Sequence, residues 1–150
     1  MWPFKKKEFF TPEQRDSIVA AIREAEKQTS GEIRLYVESH CRFVDPIDRA
    51  AEIFTGLQMH ATKERNGVLI YIALDDHQLA VLGDEGIHRK VGSHFWEQEV
   101  SKMIYHFSHQ DYSEGLIDII SDIGNALKAN FPYSRDTDKN ELPDDLVFGK

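Results

Sequence analysis

The sequence predicts an α/β protein built on a small mixed sheet with helices on both faces. Three observations predict it. Helix-type and strand-type periodicities alternate along the chain. A helix-length insert separates the first two apolar strands, and a three-residue link, Asp75-Asp76-His77, joins the second strand to the third. A strand–helix–strand unit is parallel and right-handed in nearly all cases, whereas so short a link makes a hairpin and adds an antiparallel neighbour. The expected order is α-β-α-β-β-α-α.

Each element has its own signal. Thr11-Pro12-Glu13-Gln14 reads as a helix start, with Thr11 as cap, Pro12 at the first helical position and Gln14 three residues after the cap. Ile18, Ala21, Ile22 and Ala25 follow at helical spacing, and Gly31 is the expected stop. Ile33, Leu35 and Val37 alternate with Arg34, Tyr36 and Glu38, which is the period of a strand. Asp45-Pro46 opens a second helix, with Ala50, Ala51, Phe54 and Leu57 as its inner stripe. Asn66-Gly67 is a turn signal, and residues 68–74 are almost all apolar, as in a central strand buried on both faces. Residues 78–82 form the third strand, and Gly83-Asp84-Glu85-Gly86 ends it. A third helix is expected over 93–107 with Phe95, Trp96, Met103 and Phe107 inward. Asp111-Tyr112-Ser113-Glu114 reads as a capping box for a fourth, whose stripe is Leu116, Ile119, Ile120, Ile123 and Leu127 and which Pro132 stops. The chain thus divides into an arm (1–10), an α/β domain (11–132) and a polar, acidic tail (133–150) in which Leu142, Val147 and Phe148 are candidate docking points.

Composition narrows the function classes. With 150 residues, 41% of them hydrophobic, the chain is long enough for one domain with a real core. Eighteen basic and twenty-six acidic residues leave a net charge of -8. That balance argues against a polyanion such as nucleic acid, which is held by clustered Lys and Arg, and permits a hard cation. Cys41 is the single cysteine, so no intrachain disulfide forms and a reducing compartment fits. The start lacks the apolar stretch of a secretory signal, and no apolar run approaches the roughly 20 residues of a spanning helix. Lys5, Lys6 and Lys7 lie among Trp2, Phe4, Phe9 and Phe10, but three lysines are too few to anchor a protein to an anionic membrane. A cytoplasmic, monomeric protein is the expectation.

The topology sorts the acidic residues. With the first two strands parallel and the third running back, Ser30-Gly31-Glu32, Arg65-Asn66-Gly67 and Gly83-Asp84-Glu85-Gly86 meet at one end of the sheet. Carboxylate, amide and backbone oxygens gather there, with glycines that allow close backbone approach. Oxygen-only ligands suit Ca²⁺ or Mg²⁺ rather than zinc. Asp84 is the expected main ligand, with Glu85, Glu32 and Asn66 in support. Asp75 and Asp76 form a secondary candidate at the opposite end, a strand length of about 20 Å away. The seven histidines form no HExxH, and no GxSxG, P-loop or GxGxxG occurs.

Taken together, Ser30-Gly31-Glu32-Ile33, Arg65-Asn66-Gly67-Val68-Leu69, Asp76 before a strand, and Leu82-Gly83-Asp84 with Gly86-Ile87 resemble the TPM-domain family. Phe95-Trp96, Gly115-Leu116 and Phe131-Pro132-Tyr133 continue the pattern. The ending, Asn140-Glu141-Leu142-Pro143-Asp144 and then Phe148-Gly149, is similar to a short bacterial subgroup without signal or membrane anchor. The resemblance implies a three-layer α/β/α sandwich and an acidic surface that can hold a divalent cation. Glu32, Asn66, Asp76 and Asp84 fall on family-pattern positions; Glu85 and Asp75 are added on chemistry alone. Because some members of the family are linked to acid phosphatase activity, the resemblance also brings a second function into view.

Three functions compete. The first is a cation-binding module, holding Ca²⁺ or Mg²⁺ weakly, that works through a protein partner. The alternative is a metal-assisted phosphatase for phosphomonoesters, in which the cation polarises a phosphoryl oxygen and activates water; its catalytic candidates are Asp84 and Arg65, the latter stabilising charge. The third is a scaffold whose acidic tail docks on a partner.

Overall fold

The structure, a computed structural model, describes residues 10–43 and 45–133, and 146–148 as backbone. The remainder of the arm, Leu142, and the side chains of Val147 and Phe148 lie outside the described residues.

The elements run α1 (Pro12–Glu26), β1 (Glu32–Glu38), α2 (Pro46–Gly56), β2 (Gly67–Ala73), β3 (Gln78–Gly83), α3 (Glu85–Val91), α4 (Ser93–Ser108), α5 (Tyr112–Asn130) and β4 (Leu146–Phe148). The strand order is β3-β2-β1-β4. β1 and β2 are parallel, with Glu32 opposite Gly67 and Glu38 opposite Ala73, and β2 and β3 are antiparallel, with Val68 opposite Gly83. The expected crossover and hairpin are both present. One face of the sheet, with Ile33, Leu35, Val37, Val68, Ile70, Ile72, Leu79 and Val81, packs on α1, α4 and α5 and receives Ile87 of α3. The other, with Leu69, Tyr71, Ala73 and Ala80, packs on Ala50, Ile53 and Phe54 of α2 and on Met59. The molecule is therefore an α/β/α sandwich.

Local chemistry explains the element boundaries. Thr11 Oγ1 accepts from the Gln14 N–H at 3.1 Å while Gln14 Oε1 accepts from the Thr11 N–H at 3.0 Å, a reciprocal capping box. Asp45 caps α2 by accepting from the Ile47 N–H at 3.0 Å. Phe10, the first described residue, is buried in the larger core.

Several local expectations fail for physical reasons. Asp84 is the N-cap of a short helix, α3, rather than part of a plain loop. Asp111 starts α5 without capping it; its carboxylate instead lies 3.3 Å from His106 Nδ1. Helix α1 ends at Lys27, before Gly31. Ile53, not Ala51, completes the inner stripe of α2. Leu146–Phe148, read as tail, pairs in parallel with β1 as a fourth strand; a three-residue run is too short to show a period. On β1 the polar residues Glu32, Arg34 and Glu38 are buried like the apolar residues between them.

Gly83 lets β3 pack closely against Trp96 of α4. A methyl group there would sit 2.2 Å from Trp96 Cζ2. Gly83→Ala should therefore lower stability by about 1–3 kcal/mol through overpacking. In a chemical-denaturation double-mutant cycle, Trp96→Phe, which shortens the ring, should recover part of that loss. Simple additivity of the two changes would show that the contact is not the cause.

Candidate functional site

The three segments expected at the Asp84 end do converge. The Glu32 N–H donates to the Asn66 carbonyl at 3.4 Å, and the Asp84 N–H donates to the Gly67 carbonyl at 2.9 Å. Arg65 ties them to α3. Its backbone is left-handed, with φ 53°, and its carbonyl accepts from the N–H groups of Gly86 at 2.8 Å and Ile87 at 3.4 Å. A Cβ at position 86 would stand 2.1 Å from the Glu64 carbonyl oxygen, so only glycine allows this approach.

The side chains of this junction are largely buried. Glu32, Asn66 and Asp84 are each less than a tenth exposed, and Glu85 is half exposed. Arg65 makes a two-pronged bond to Asp84, Nε to Oδ2 at 2.7 Å and an Nη to Oδ1 at 2.9 Å. It also lies 3.5 Å from Glu85. The bond to Asp84 raises the pKa of its guanidinium. Asp84 Oδ1 additionally accepts from the Glu85 N–H at 2.8 Å. Asn66 Nδ2 donates to Ser30 Oγ at 3.1 Å, while Asn66 Oδ1 is buried without a hydrogen-bond partner. Among the described residues no three His, Cys, Asp or Glu side chains gather into a metal-binding group. The junction thus holds buried oxygens, one of them unsatisfied, and Arg65 is the counter-ion of Asp84.

Asp75 and Asp76 lie at the opposite end, in the β2–β3 hairpin. Asp76 ties this hairpin to the chain leaving β1: Oδ1 is 2.9 Å from His40 Nδ1, and Oδ2 accepts from the Cys41 N–H at 2.7 Å. These bonds, the one to His40 first, hold the Asp76 carboxyl below the usual range. Asp75 stands 3.8 Å from His40 Nε2.

One polar network was not anticipated. Glu38, at the end of β1, accepts from Arg49 of α2 at 2.8 and 3.0 Å and from the Tyr71 hydroxyl of β2 at 2.5 Å. Burial alone would push the Glu38 carboxyl up, but the bonds from Arg49 and Tyr71 outweigh it and lower the pKa. Burial, then the bond to Glu38, pushes the Tyr71 hydroxyl up. The network pins α2 to two strands. Arg49, one helical turn past the Asp45 cap, was the available signal.

Two consequences can be measured. Removing the Tyr71 hydroxyl with Tyr71→Phe should cost about 2 kcal/mol in urea unfolding, the scale of a hydrogen bond to a charged group. Because the pKa of Glu38 is lower in the folded state, its contribution is complete above the ordinary carboxylate range and is lost as pH falls through the folded value. Glu38→Gln should accordingly flatten the acid limb of the stability–pH curve, and an unchanged limb would remove Glu38 from the account.

The comparisons with known proteins agree with this architecture. The TPM domain matches residues 4–126. The solution structure of the BA42 protein from the psychrophilic bacterium Bizionia argentinensis aligns with a TM-score of 0.86 and 41% identity, covering 97% of this chain and 99% of that one. The N-terminal domain of the cg2496 protein from Corynebacterium glutamicum aligns with a TM-score of 0.65 over 84% of this chain and 79% of that one; at 13% identity it shows the shared fold alone. No curated protein sequence matches the chain. On the match to the TPM domain and the 41% identity over nearly the full length of both chains, this protein belongs to the TPM-domain family.

Proposed function

We propose that the protein is a divalent-cation-binding module that acts through a protein partner, with Ca²⁺ or Mg²⁺ held at the Asp84 end by Asp84, Glu85, Glu32 and Asn66. The observation that carries this reading is Asn66 Oδ1, a buried amide oxygen left without a hydrogen-bond partner, at the junction where backbone bonds join the segments of Glu32, Asn66 and Asp84. Such an acceptor is costly to leave unsatisfied, and a hard cation favours oxygen donors of this kind. The Asp75–Asp76 hairpin is exposed, and its Asp76 carboxylate is already held by His40 and the Cys41 N–H, so it ranks second.

Arg65 sets the terms of binding. A cation reaching Asp84 displaces the guanidinium, whose side chain is 42% exposed and has room to swing outward. This competition, with few charged ligands, fits an affinity on the order of 10⁻⁴ M, as in weak calcium modules. The output is a change of surface charge. Asp84 becomes neutralised by the ion, and a released Arg65 faces solvent where an acidic protein surface can read it. The phosphatase alternative needs Arg65 for a phosphoryl group, and its two bonds to Asp84 favour binding over turnover.

The test is an NMR and thermal-unfolding titration with Ca²⁺ and Mg²⁺. At a hundredfold excess over Kd the ion should add about 2.7 kcal/mol of stability, and a chelator should reverse it. Asp84→Asn keeps a competent helix cap and should abolish the effect, whereas Asp76→Asn should leave it. Arg65→Gln removes the competitor and should tighten binding by roughly threefold to tenfold, a modest change because the pair is partly exposed. If Asp76→Asn abolishes the effect and Asp84→Asn does not, the ion belongs to the hairpin. If neither matters, the acidic loops are a solvated surface and the cation reading fails. Chelator-sensitive hydrolysis of a chromogenic phosphate ester that Arg65→Gln eliminates would establish the phosphatase instead.

A further inference from the structure

Glu99 is an acidic residue in an apolar position. It lies on the inner stripe of α4 with Trp96 and Met103 and is 3% exposed. Its Oε1 is buried without a hydrogen-bond partner. Its Oε2 is 3.9 Å from Lys102 Nζ, but that ammonium is drawn to α5, where it bonds Asp122 Oδ2 at 2.5 Å. A single cation therefore serves two carboxylates and favours the more exposed one. Asp118, one turn earlier on α5, adds a third negative group; it is 4.0 Å from His106 Nε2. Of the other elements against α4, α3 carries Arg89 and Lys90, both exposed, with Arg89 4.0 Å from Glu85. β3 carries no charged side chain, and the His88 ring of α3 is engaged by the Trp96 indole, whose Nε1–H donates to His88 Nδ1 at 3.0 Å.

We propose that Glu99 and Asp122 form a proton-holding latch across the α4–α5 seam, closed while Glu99 is protonated and released when its proton leaves. A neutral Glu99 tolerates the buried position and shares its proton with Asp122; an ionised one faces Asp122 and Asp118 with half of one lysine. Burial first, then the bond to Asp122, pushes the Glu99 carboxyl up to about 8. Lys102 stays charged throughout, since its bond to Asp122 raises its own pKa.

The direction in pH follows from linkage. Glu99 in an opened seam titrates at an ordinary value of about 4.3, below its value in the closed seam. The closed state thus binds more protons between the two, and the seam weakens as pH rises through that window. Below it the latch is fully closed; above the closed-state value the effect levels off.

The experiment uses the full chain. Carbon-detected NMR follows the Glu99 carboxyl, and amide hydrogen exchange, corrected for its intrinsic pH dependence, follows opening of α4. Glu99 should titrate well above the other glutamates, and opening at the seam should grow by up to about tenfold per pH unit between roughly pH 5 and 8. Glu99→Gln should hold the seam closed with opening that no longer depends on pH. Asp122→Asn, which removes the facing charge, should move the Glu99 midpoint down. A wild-type Glu99 midpoint within the ordinary glutamate range overturns the proposal, as does seam opening in Glu99→Gln that keeps the wild-type pH dependence. Should Glu99→Gln not fold, the Glu99 midpoint in Asp122→Asn decides: a downward shift supports the latch, and no shift refutes it.

Discussion

The burial of β2 on both faces is the constraint from which the rest follows. From Val68 to Ala73 its residues have no solvent exposure. A strand of this kind must be covered twice, so α1, α4 and α5 occupy one side and α2 the other. Charged groups are then forced to the ends of the strand or into paired networks. Arg65 and Asp84 close one end, the hairpin aspartates stand at the other, and Glu38 is tolerated only because Arg49 and Tyr71 satisfy it.

The same constraint explains why this structure keeps buried acids at all. A buried ion pair contributes little net stability compared with an apolar replacement, but losing one partner is costly. Glu38 holds α2 against β1 and β2, and Asp84 holds the start of α3 against the entrance to β2. Both pairs specify how a neighbouring layer is seated. Glu99 is different in kind: its nearest cation is shared, so its charge state is left open to the environment.

Much of this was legible in the sequence wherever the signal was periodic or tied to a cap. Ile18 and Ile22, the run through β2, and the stripe from Leu116 to Leu127 lie where their spacing puts them. Thr11 and Asp45 cap as their residue types suggest, and the short Asp75–His77 link does make the hairpin that brings Glu32, Asn66 and Asp84 to one junction. The illegible parts depend on contacts distant in the chain. Alternation along β1 separates its two faces, but whether the polar face is covered is decided by segments far away. The charge of Arg65 is evident from its type, but its bond to Asp84 spans nineteen residues. Glu99 sits three residues after Trp96 and four before Met103, on the inward face by helical spacing, but an acidic side chain does not belong to an apolar stripe.

The reversal of direction between β2 and β3 also makes the sheet an electrical insulator. It places the Arg65–Asp84 pair and the His40–Asp76 pair at opposite ends of strands about 20 Å long. That distance is more than twice the screening length of about 8 Å at physiological salt. The part of the field that passes through solvent is largely screened over that distance, so exposed charges at the two ends can mutate and diversify largely as separate circuits on one scaffold. What remains between the two ends is the weak field through the sheet and any shift of β2 itself.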